Sequence, residues 1–170
     1  ETIQFFERLW DAADKVALGG VVRQHIGVCY DVCHQAVEFE NPSTAIRELT
    51  EADIRINKVQ ISCAIELDNP TSETARQALA TFAEQRYLHQ TFAQHSDGRV
   101  ISHTDLSQEL ALDPPAEWSQ AERWRVHFHV PVDADRLGPL GTTRPELIQA
   151  LHALGQLSYE PHLEVETYTW

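Results

Sequence analysis

Short β-branched runs alternate with helical stretches along this chain, and no other feature constrains its fold as strongly. Residues 1–18 place Phe6, Leu9, Ala13 and Val16 at helical spacing, and Gly19-Gly20 supplies a stop. A buried strand is predicted over 25–31, a helix over 43–53 after the Asn41-Pro42 break, and a strand over 56–63, "INKVQISC". A helix over 72–85 follows, with Ala75, Leu79 and Phe82 on one face. "YLHQTF" and "RVISHT" flank "QHSDG", so a hairpin insertion turning at Asp97-Gly98 is predicted at about 86–104. Next come a short helix over 105–112 and a strand over 123–130, "RWRVHFHV". A helix over 144–155, with Thr143 and Glu146 at capping-box spacing, and a last strand over 162–168 complete the chain.

This order implies an α/β fold with parallel strands joined by helical crossovers. An open doubly wound sheet and a closed barrel both fit it. No Gly-rich phosphate loop follows any strand, which disfavours the dinucleotide-binding version. Polar residues gather instead at the strand ends, where a (β/α)8 TIM barrel carries its chemistry.

Charge and length narrow the function classes. The 26 acidic and 13 basic side chains give a formal net charge of −13, which repels phosphate backbones, so no nucleic-acid partner is expected. The apolar runs fall well short of the ~20 residues of a membrane span, and no signal peptide is visible. Three cysteines make an odd number with no disulfide framework, so a reducing, cytoplasmic setting is expected. The 170 residues amount to one domain or part of one. The chain lacks Met and begins at Glu1 inside a helical pattern, so a piece of a longer protein is expected.

Alternate residues of a strand share a face. Gly27, Cys29 and Asp31 therefore point one way, with His34 in the turn beyond. Lys58, Gln60 and Ser62 share a face of the second strand, Arg125, His127 and His129 of the third, and His162, Glu164 and Glu166 of the fourth. Such a set of oxygen and nitrogen donors suits a hard or borderline divalent ion. Taken singly, Asp31 also reads as a helix cap, and Glu164 as one half of an ion pair with Arg125. Cys29, Cys33 and His34 straddle a strand end, a poor match to zinc-ligand spacing.

Asp31-x-x-His34, Gln60 in "KVQIS" and Glu166 in "VETY" resemble the xylose isomerase-like barrel superfamily of sugar phosphate isomerases and epimerases. "GVCYDVCHQAVEFENP", "YLHQ", "HFHVPVD" and "HLEVETYTW" look similar to its EboE-like metabolite-traffic branch. The resemblance implies a single partial domain over 1–170, strands five to eight of the barrel, dependent on a missing N-terminal half that carries a first Glu ligand. It implies Asp31, Gln60 and Glu166 as ligands of a divalent metal, Mg or Mn rather than Zn because of the Gln amide. Glu166 and His34 become the catalytic residues: Glu166 transfers a proton through an enediolate, and His34 contacts oxygen of a small sugar-like metabolite. His129 would line the same mouth, and Arg136 could engage an anionic group. If 105–112 is the barrel helix, the hairpin overhangs the site and brings His89 and Gln90 to substrate; if 72–85 is, the hairpin lies on the opposite face. The alternative function is metabolite binding and trafficking without turnover.

Overall fold

The protein is described here from a computed structural model covering residues 1–167. Its helices are α1 (Thr2–Lys15), α2 (Gly19–His25), α3 (Val32–Val37), α4 (Pro42–Glu51), α5 (Glu73–Ala80), α6 (Gln108–Leu112), α7 (Ala116–Ser119) and α8 (Arg144–Leu154). Its strands are β1 (Val28–Asp31), β2 (Ile56–Ile61), β3 (Cys63–Leu67), β4 (Thr91–Gln94), β5 (Val100–His103), β6 (Arg123–Val130), β7 (Arg136–Leu137), β8 (Leu140–Thr142) and β9 (His162–Val165). Among the described residues no helix is long and apolar enough to cross a membrane.

The strands divide into two sheets. A three-stranded parallel sheet runs β1-β2-β9, and a six-stranded antiparallel sheet runs β5-β4-β6-β3-β8-β7. This is a small mixed α/β domain, and the expected C-terminal half of a (β/α)8 TIM barrel is not what the chain forms. The decisive strand is 123–130. It was expected to lie parallel to its predecessors, but it pairs antiparallel with β3 on one side and β4 on the other. β3 begins one residue after β2, so no helical crossover separates them. The hairpin β4–β5 joins β6 as regular sheet. Alternation of strand and helix patterns specifies neither the partner nor the direction of a strand.

Local rules explain several boundaries. The first helix stops at Lys15, and Ala17 takes a left-handed conformation at φ 59°. Gly19-Gly20 therefore opens α2 instead of ending α1, and Arg23 of α2 makes paired hydrogen bonds of 2.9 Å back to Asp14. Asn41 caps α4 by accepting from Thr44 N–H at 3.0 Å, with Pro42 in its first turn. A Cβ at Gly27 would lie 2.3 Å from the Arg55 carbonyl oxygen, so only glycine lets β1 enter this close to the chain feeding β2. The capping box expected at Thr143 and Glu146 does not form. The Thr143 hydroxyl accepts from Ala64 N–H at 2.8 Å, and Glu146 is drawn to Arg125.

The core lies on the antiparallel sheet. Ile65, Leu67, Ala93, Trp124 and Val126 are fully buried, and Trp124 donates its indole N–H to the Trp118 carbonyl at 2.8 Å. α3 sits between the sheets, packed on β3, β6 and α8. Arg125 fastens it there. Its guanidinium bonds Glu66 of β3 at 2.7 Å, the Ala36 carbonyl of α3 at 2.8 Å, and Glu146 of α8, while lying 4.6 Å over the Phe39 ring. Glu164, expected to pair with Arg125, pairs instead with Lys58 on the neighbouring strand.

Candidate metal and substrate site

Parallel pairing brings the ends of β1, β2 and β9 side by side, with Asp31 opposite Gln60 and Gln60 opposite Glu164. Glu166 follows β9 and continues the ladder, its N–H donating to the Ile61 carbonyl at 3.0 Å. Gln60 donates its amide to the Glu166 carboxylate and accepts from the Cys29 thiol at 3.5 Å. As oriented, its amide nitrogen and not its oxygen faces Glu166; a half-turn of the amide would exchange them.

Asp31 fills the capping role that its sequence allows. Oδ1 caps α3, accepting from Cys33 N–H at 2.9 Å, His34 N–H at 3.2 Å and the Ser62 hydroxyl at 3.2 Å. Its second oxygen, Oδ2, lies 3.9 Å from His34 Nε2. From the other sheet, β6 sends His127 and His129 toward this end of α3. The His127 ring stacks on His34 with centroids 4.0 Å apart, and its Nε2 is 3.2 Å from His129 Nε2.

Ligand atoms of Asp31, His129 and Glu166 lie within 4.8 Å of one another, as do those of Asp31, His34 and His127, and of Cys33, His127 and His129. The chemistry of the donors separates these groups. Burial pushes the His127 imidazole down to about 4, with His34 and His129 adding to the effect, and burial also lowers His129 against the pull of Glu166 and Asp31. Both rings are thus held neutral, the form that ligates a cation. Burial raises the Cys33 thiol well above its ordinary range, which holds back the thiolate the third group needs. Two carboxylates with a neutral imidazole fit a hard or borderline divalent ion.

The other residues singled out from the sequence divide. His89 is 3% exposed and stacks on Phe128 with ring centroids 5.0 Å apart. It lines a pocket of about 210 Å³ together with His127, Phe128 and His129. It therefore adjoins the ligand group without belonging to it. Gln90 is exposed, and its carbonyl accepts from the His127 N–H at 2.9 Å. Arg136 lies apart, bonded to Asp68 at 3.1 Å and to the Pro139 carbonyl at 2.8 Å. Glu38 and Glu40 are exposed and line a separate acidic hollow of about 460 Å³ that Asp31 borders.

Sequence reasoning placed His127 and Ser62 on donor-bearing strand faces but assigned neither a role. Both share strand faces with residues it selected, His127 with His129 and Ser62 with Gln60, so period-two alternation was the available signal. Comparison of the chain with protein-family models, curated proteins and solved structures finds no match.

Proposed function

We propose that Asp31, His129 and Glu166 hold a divalent cation, Mn²⁺ or Mg²⁺, and that the chain acts there on a small sugar-like metabolite. The observation that carries this reading is the convergence of two carboxylates and a buried imidazole, from two different sheets, within 4.8 Å. Relative to the expected ligand set, His129 enters and Gln60 moves to a supporting position, holding Glu166 through its amide. Bound there, such an ion would polarise a carbonyl and stabilise an enediolate. His34, partly exposed beside Asp31, orients a substrate hydroxyl. Glu166 is the carboxylate placed to take a proton from the carbon next to a carbonyl. The resemblance to xylose isomerase-like isomerases and epimerases, and to their EboE-like branch, points to the same chemistry.

A second reading, metabolite binding and transfer without turnover, is favoured by the Gln60 amide that occupies the Glu166 carboxylate. One experiment separates the two. With Mn²⁺ present, ketoses and hydroxyaldehydes incubated in D₂O acquire deuterium next to the carbonyl if the chain is an isomerase, and Glu166→Gln abolishes the exchange. Saturable binding with no deuterium incorporation by the wild type supports transfer and defeats the isomerase.

A further inference from the structure

The pocket beside the ligand group carries information about ligand class. Phe128 and His89 stack along one side of it. Tyr87 and Leu88 close it while remaining 50% and 64% exposed, so two large side chains stand over the hollow only partly covered. A ring or carbon face laid against Phe128 and Tyr87 would bury that surface.

His89 presents its two ring nitrogens to different surroundings. His89 is 3% exposed, yet its Nδ1 has no hydrogen-bond partner. Asp105 Oδ1 accepts from the His89 backbone N–H at 2.7 Å but stands 3.7 Å from that ring nitrogen. On the other side, Nε2 is 3.8 Å from Glu84 Oε1, and Glu84 lines the pocket. Both gaps exceed hydrogen-bonding range. Nδ1 lies on the Asp105 side, behind the ring, so a ligand in the hollow meets Nε2; a hydroxyl set against both Nε2 and Glu84 can accept from the ring N–H and donate to the carboxylate.

Charge sets the exclusion. No Lys or Arg lines the pocket among the described residues, whereas Glu84 does and Asp105 stands behind His89. The adjoining cation, Arg86, lies 5.2 Å over the Tyr87 ring. Phosphate recognition draws on Arg, Lys or clustered backbone N–H groups, and a carboxylate in the wall opposes it. We infer that this pocket, building on the metal reading above, takes an uncharged hydroxylated small molecule and rejects its phosphate ester. His89 and Glu84 would hold a hydroxyl, and Phe128 and Tyr87 a carbon face. The volume of about 210 Å³ is below the ~300–1,000 Å³ of drug-sized sites and suits a ligand of small-sugar size.

Ligand-observed NMR titration of the chain with Mg²⁺ tests this, using dihydroxyacetone, D-fructose and myo-inositol, each beside its monophosphate. At least one neutral compound should bind, about tenfold or more tightly than its ester. His89→Gln should weaken the neutral ligand about tenfold. Glu84→Gln, an exposed change that does not endanger folding, should narrow the gap to the ester by about tenfold. An ester that binds as well as its parent, binding by none of the neutral compounds, or binding unmoved by both variants overturns the inference. Mn²⁺ binding followed by electron paramagnetic resonance keeps the two claims apart. Neutral binding with the predicted variant effects but without Mn²⁺ binding supports the pocket and sinks the metal centre; Mn²⁺ binding without any neutral ligand sinks the pocket alone.

Discussion

The two sheets divide the work of the molecule. The antiparallel sheet is dry at its centre, though its edge strand β5 is mostly exposed: Ile65, Leu67, Ala93, Trp124 and Val126 are fully buried, and the buried charge of Arg125 is matched by Glu66 and Glu146. The parallel sheet is wet at its margin. Every residue of β9 is exposed, Leu163 and Val165 included, and its ion pair between Lys58 and Glu164 stands in solvent. The candidate ligands come from both, Asp31 and Glu166 from the ends of the parallel strands and His129 from the antiparallel β6. A site at such a junction takes rigidity from one sheet and access from the other, so stability and function should separate on mutation.

Four substitutions test that separation, from the largest effect to the smallest. Trp124→Ala empties the centre of the antiparallel sheet and should cost about 3–5 kcal/mol in urea unfolding. Arg125→Met strands Glu66 and Glu146 beside the core and should cost about 3 kcal/mol, with much of that recovered when both are also changed to Gln. Glu40→Gln should raise the unfolding midpoint slightly. Burial, with Glu38 and Glu48 nearby, raises the Glu40 carboxyl above its ordinary value. The folded state therefore holds that proton more tightly than the unfolded chain, and ionising it costs stability as pH rises past about 4.5. The gain from Glu40→Gln should be present at pH ~7 and vanish well below pH ~4. Arg136→Ala removes an exposed ion pair and should change stability by less than about 1 kcal/mol.

The sequence exposed the positions of the polar residues more readily than the architecture. Period-two alternation placed Asp31, Gln60, His129 and Glu166 on strand ends, because the faces of a strand follow from backbone geometry whatever its partners are. Strand direction is not local information. "RWRVHFHV" reads the same whether its neighbours run parallel or antiparallel, and β3 was hidden because it follows β2 across Ser62 alone. Competition between partners decided other details. Thr143 and Glu146 had the spacing of a capping box, but Ala64 N–H and Arg125 took their polar groups. Tyr168, at the end of the predicted last strand, lies outside the described residues.

The central claim is that side chains from the two sheets meet to hold one divalent ion. Mn²⁺ titration followed by electron paramagnetic resonance tests it most directly, with the wild type compared with Asp31→Asn, His129→Ala and Glu166→Gln. One saturable Mn²⁺ per chain in the wild type, lost in all three variants and kept in Arg136→Ala, is the result predicted here. No stoichiometric Mn²⁺ in the wild type, or undiminished binding in any of the three variants, would contradict it.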